Sequence, residues 1–172
     1  MNTQLIAYGL LAALAIAVLY AGITDLLHRK ITNRLTGTIA IAAPLFWWAS
    51  DLSIWPGVAI QLALAVGWFV FGALLFRIRQ MGGGDVKLFT ALALWLEPSL
   101  FMMVVLLTMA VNGIATLVVL RGVRRARREG RKVDARATPY GVSAALAMLV
   151  MFAVRYGPAI ETAFSTNSLN FA

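Results

Sequence analysis

The chain has no cysteine. Disulfides, thiolate nucleophiles and Cys-based zinc sites are therefore excluded. It has one histidine, His28, so a His-rich metal centre is excluded as well. Acids are scarce, with seven Asp and Glu against 15 Lys and Arg, and charged residues of both signs make up only 13%. No internal repeat or low-complexity tract is visible. The GxxxxGK[ST] spacing of a phosphate-binding P-loop is missing, and no motif calls for a cofactor.

What is abundant is apolar content. Hydrophobic residues make up 61% of the 172, and the mean hydropathy is +0.83. No soluble domain of this size needs so much, so the composition indicates an all-α integral membrane protein. The net charge of +8 then becomes a question of sidedness rather than of nucleic acid.

Uncharged stretches mark the candidate spans. Leu5 to Thr24 is twenty residues long, enough to cross at about 1.5 Å per residue. No Lys or Arg precedes it, unlike a secretory signal, so it is expected to be retained. Leu35 to Ser50 is a shorter second span with Pro44 as a possible bend. A turn near Pro56-Gly57 leads to a third span, about Val58 to Phe76. Only nine uncharged residues lie between Lys87 and Glu97, about half of a ~30 Å hydrocarbon core. Pro98 to Leu120 is a full span, and Ala137 to Val154 is the last. The five Trp and nine Phe read mostly as lipid and interface anchors.

Charge asymmetry decides whether the short fourth segment crosses. If it does, there are six spans with both termini outside, and fourteen of the 15 basic residues fall on the cytoplasmic side. If it does not, the eight basic residues between Arg121 and Arg136 fall outside. The positive-inside rule selects six spans, with Lys87 snorkelling or the bilayer thinning locally. Residues 1–155 then form one membrane domain in the cytoplasmic (inner) membrane, and 156–172 a loose outer tail. The run Arg124-Arg125-Ala126-Arg127-Arg128 reads as a solvated loop against anionic lipid, not a nucleic-acid site.

Sidedness also sorts the acids. Asp51, Glu97 and Glu161 fall outside, and Glu129 and Asp134 lie in the Arg-rich loop. Asp25, at the end of the first span, and Asp85, at the start of the fourth, remain at the inner boundary. Asp85 follows Gly82-Gly83-Gly84, a loop that can take positive φ and let another chain approach. Two carboxylates brought close in a partly dry site cannot both ionise easily, and such a pair shares a proton. The ionised member can take a proton from water while the protonated one polarises a peptide carbonyl. A plainer alternative is that each Asp caps a helix or pairs with a nearby cation, Asp25 with Arg29 and Asp85 with Lys87. Lys87 either tunes Asp85 or snorkels, with snorkelling preferred. Asn33 reads as a cap of the second helix, His28 as a bystander, and Asn112 as an interhelical hydrogen-bonding group.

Asp25, then Ile31-Thr32-Asn33, then Gly82-Gly83-Gly84-Asp85-Val86-Lys87, resembles the type IV prepilin peptidases, membrane aspartic proteases with a GxGD motif. Thr138-Pro139-Tyr140-Gly141 is similar to the family's Pro-aromatic-Gly segment. The resemblance implies that Asp25 and Asp85 are catalytic. It also implies removal of a short basic leader from prepilins or pseudopilins at the cytoplasmic face, just before their hydrophobic helix. Many such enzymes carry an extra domain with paired CxxC motifs and methylate the new N-terminus. Without cysteine, and with about ten residues between its first two spans, this chain is similar to the minimal peptidases of tight-adherence (Flp) pili, with no methyltransferase activity implied. Archaeal preflagellin peptidases share the plan, so the substrate stays open between pilin and flagellin types. Two non-protease readings stand beside it, a small proton-coupled transporter using the same acids and a non-enzymatic pilus-assembly protein.

Overall fold

A computed structural model describes residues 3–28, 30–128 and 142–155. Among these residues all regular structure is helical, in six helices: α1 Thr3–His28, α2 Asn33–Ala49, α3 Ile54–Arg77, α4 Gly83–Ala93, α5 Pro98–Arg128 and α6 Val142–Arg155. Three of them, α1, α3 and α5, are long and apolar enough to cross a membrane. At 17 and 11 residues, α2 and α4 are shorter than the about 20 needed to cross a ~30 Å core alone.

α4 is the centre of the packing. Val86, Leu88, Phe89, Ala91, Leu92 and Ala93 are all buried, so most of the helix surface is covered, and the strip of exposed Lys87 and half-buried Thr90 is left open. It packs most extensively on α3 and α2, with further contact to α5. Gly72 of α3 makes the first contact possible, because a Cβ there would lie 2.8 Å from Val86 Cγ1. Trp68 of α3 packs against Phe89 of α4 and Phe101 of α5, with ring centroids 5.4 Å apart in both pairs. Ala144, Ala147 and Met148 of α6 enter the same core.

The far end of α4 is tied down by indoles. Trp47 Nε1 donates to the Leu94 carbonyl at 2.7 Å, and Trp95 Nε1 to that of Ile39 at 2.8 Å. Phe46 stacks on Trp95 at 5.1 Å. Trp68 and Trp95 are buried, and Trp48 and Trp55 are exposed. The reading of the tryptophans as lipid anchors is thus corrected for Trp68 and Trp95, which hold the interior together.

Other expectations shift at the helix ends. The chain turns at Ser50 to Ser53, with Asp51 at φ 50°, and the start of α3 breaks again at Trp55, whose φ of −127° and ψ of 126° are not helical, next to the Pro56-Gly57 pair where a turn was expected. Leu52 N–H bonds the Trp47 carbonyl at 2.9 Å and closes α2, the six-to-one bond of a Schellman cap. Pro44 lies inside α2 without ending it. The basic run expected as a loop is the last part of α5, whose helix continues to Arg128. Glu129, Asp134, Thr138 to Gly141 and the tail 156–172 lie outside the described residues.

Outward, α1, α3 and α5 show large apolar side chains such as Ile16, Val66, Leu106 and Ile114. Helices apolar all round need lipid on the side that protein does not cover.

Phe101, fully buried against Trp68 and Phe89, should tolerate truncation poorly. Phe101→Ala is expected to lower stability by about 3 kcal/mol or more. Ile114→Ala, on the lipid-facing side, should change it by less than about 0.5 kcal/mol. Denaturant unfolding in micelles measures both.

Candidate active site

α3 ends in a second Schellman turn. Arg79 takes φ 60°, its N–H bonds the Phe76 carbonyl, and Gln80 N–H bonds that of Leu75 at 2.9 Å. The chain then enters α4 through Gly82, whose φ of −72° and ψ of 144° are extended backbone. Val86 N–H closes the first turn on the Gly82 carbonyl at 3.1 Å. The glycine loop was expected to use positive φ. It does not, since Gly82 is extended and Gly83 and Gly84 are already helical. Arg79 carries the left-handed turn instead.

The three glycines serve close approach. A Cβ at Gly82 would lie 2.7 Å from Asp85 Oδ2, one at Gly83 3.3 Å from the Phe76 ring, and one at Gly84 3.1 Å from Ile31 Cβ. Gly84 therefore lets the α1–α2 connection rest on the start of α4. Asp85 is the third residue of α4, not its N-cap, and its carboxylate takes a hydrogen bond from the Gly82 backbone. It is 8% exposed.

Asp25 arrives from α1 by helical periodicity. Leu14, Val18, Ala21 and Asp25 are the buried stripe of that helix, spaced three or four residues apart so that all face inward. Asp25 is the last of them and 9% exposed. Asp85, Leu88 and Leu92 make the matching stripe on α4. Two core stripes thus end in a carboxylate at the same end of the bundle, and the charge of Asp25 acts on Asp85.

Lys87 and Asn33 meet as well. Lys87 Nζ donates to Asn33 Oδ1 at 2.8 Å, joining the starts of α4 and α2. Asn33 thus makes no cap; Thr32 is the N-cap of α2, with no side-chain cap bond. The exposed Lys87 amine reaches Asn33 rather than Asp85. The pair sits on a cavity of about 280 Å³ between α2 and α4, walled by Gly37, Ala40 and Ala91. His28 is exposed at the end of α1.

Asn112 is also reassigned. Its amide donates within α5, to the Thr108 carbonyl at 3.1 Å, not to another helix. Ile31 and Gly72 were missed as site-shaping residues. Ile31 lay within the quoted Ile-Thr-Asn stretch, a usable signal. Gly72 had none, because Gly67 on the same helix looks alike yet meets nothing within 4 Å. Among the described residues no three His, Cys, Asp or Glu side chains group as metal ligands.

The sequence pattern of the type IV leader peptidase family matches residues 12–117, which include Asp25, Asn33 and the whole Gly82–Lys87 segment. The chain belongs to that family, and so to a family of peptidases. Comparison with curated proteins and with solved structures finds no match.

The glycine geometry predicts an order of sensitivity. Gly82→Ala should fold, because the carboxylate it meets can rotate away, but should lose peptidase activity by tenfold or more. Gly84→Ala should lower both activity and melting temperature, since it presses on the Ile31 stem. Gly83→Ala should be mildest, because it meets only the edge of the exposed Phe76 ring. Cleavage rate and thermal melting of the three variants check the order.

Proposed function

We propose that this chain is an aspartic endopeptidase that removes the basic leader from type IV prepilins or pseudopilins at the cytoplasmic boundary of the inner membrane. Asp25 and Asp85 are its catalytic pair. The observation that carries this reading is the arrival of two buried, electrostatically interacting carboxylates from α1 and α4 at one end of an apolar bundle, in a member of a leader peptidase family.

The mechanism follows from the pair sharing one proton. The ionised Asp removes a proton from water, which attacks the carbonyl carbon of the scissile peptide. The protonated Asp donates a hydrogen bond to the carbonyl oxygen and stabilises the charge that develops there. The tetrahedral intermediate then collapses, the C–N bond breaks, and the leaving amine takes a proton from the pair. The glycine segment gives the substrate backbone access beside Asp85. The chain is the minimal, six-span form of the enzyme without N-methyltransferase activity. Its basic residues contact anionic lipid on the cytoplasmic side, and it uses no nucleic acid.

Leader removal from a co-expressed prepilin, read on a gel, tests the reading. Asp25→Asn and Asp85→Asn should each cut cleavage about a thousandfold while inserting like the wild type. Wild-type cleavage by either variant would overturn the dyad. The pH profile should be bell-shaped. A pair that works with one shared proton loses activity at both extremes of pH. A monotonic profile would count against a shared proton.

A further inference from the structure

A cavity of about 510 Å³ lies between α3, α4 and α5, separate from the α2–α4 cavity described above. It starts at Gln80 and Met81, in the turn that leads to Gly82, and passes Leu75 and Leu117 to reach Trp68 and Phe89. Phe89 is one helical turn beyond Asp85. From Leu75 to Trp68 the cavity follows α3 for about 10 Å at 1.5 Å per residue, a length that suits roughly three residues of extended peptide. The cavity therefore runs inward from the end of the bundle that carries the two aspartates.

Its walls are mostly apolar, with the polar side chains of Gln80, Thr108, Asn112 and Thr116 among them. Asn112 Oδ1 and Trp68 Nε1 are both buried and have no hydrogen-bond partner, and both residues line the cavity. Asn112 is 3% exposed and Trp68 8%. One is an acceptor and the other a donor. Leaving such atoms unpaired is unfavourable in a low-dielectric interior. An acyl chain of suitable volume would satisfy neither. A stretch of polypeptide between regular structures offers both a free N–H and a free C=O, along with apolar side chains to fill the volume.

We propose that this cavity is the subsite for the first apolar residues of the substrate beyond the cleaved bond, held locally unwound. Trp68 Nε1 donates to a substrate backbone carbonyl, and Asn112 Oδ1 accepts from a substrate backbone N–H. The inference rests on the endopeptidase reading above, and it assigns the α3–α5 side of the bundle as the substrate's way in. Gly113 lies at the cavity wall, where an added Cβ meets nothing within 4 Å. Among the described residues nothing therefore crowds the cavity wall at that point.

The test compares two substrates, a prepilin with its natural apolar helix and a version with Ser in place of the first four apolar residues after the cut. The wild type should prefer the natural substrate. Gly113→Phe should lower kcat/KM for it at least tenfold and erase the preference. Ile114→Phe, which adds bulk one residue on at a lipid-facing position, should keep it. Asn112→Leu and Trp68→Phe should each raise KM about fivefold to tenfold, the worth of one hydrogen bond, with kcat little changed. Melting temperature should hold for Asn112→Leu and fall for Trp68→Phe, because the larger indole packs in the core. A purely structural role for either residue would move melting temperature and leave KM alone, and would overturn the proposal. So would lipid that co-purifies with the wild type and is lost from Gly113→Phe while cleavage continues. If the wild type cleaves with both aspartates required but these variants keep wild-type KM, the subsite alone is wrong. If the wild type cleaves no prepilin, the endopeptidase reading falls, and this one with it.

Discussion

Asp25 and Asp85 belong to helices that make little backbone contact with each other. α1 packs on α2, and α2 packs on α4, so the separation of the two carboxylates is set through a helix that carries neither. α2 runs in the same direction as α4 and is tied to it near both ends. Lys87 and Asn33 join the starts, and Trp47 reaches the carbonyl of Leu94 near the finish. An exposed amine-to-amide bond such as the first contributes modestly to stability. Its importance is geometric, because a rotation of α2 about its axis would carry the α1–α2 connection, and Asp25 with it, away from Asp85.

The glycine segment works toward the same end by leaving space. Ile31 reaches the start of α4 because Gly84 has no side chain, and Val86 reaches α3 because Gly72 has none. α4 is thus gripped from two sides within a turn of its acid. Close-packed interiors respond to single methyl groups, and here the methyl groups that are missing determine where Asp85 stands.

Much of this was legible in the sequence, and the failures have physical causes. Charge sidedness isolated Asp25 and Asp85 from seven acids. Pro98 marked the first residue of α5, as a residue with no N–H to lose should. The glycines were singled out for two properties, and close approach holds while positive φ does not. A turn that needs φ > 0 usually recruits glycine, but here Arg79 and Asp51 take that conformation; Asp tolerates it better than most residues, and nothing in the sequence marks Arg79. The tryptophans misled because a membrane helix is apolar on every side. Hydropathy cannot separate Trp68, which faces protein, from Trp55, which is 81% exposed. The stripe Leu14, Val18, Ala21, Asp25 is hidden for the same reason. The basic run at the end of α5 was read as loop because charge ends a span, although it need not end a helix.

α4 is buried in protein except along a polar strip at Lys87 and Thr90, and this largely separates it mechanically from the bilayer. When hydrocarbon thickness changes with lipid composition or temperature, long apolar helices adapt by tilting, and here α1, α3 and α5 are the ones long and apolar enough to do so. α4 has no apolar outer face of that kind to match. Membrane strain reaches Asp85 mainly through side-chain packing, as through the lining of a flexible frame.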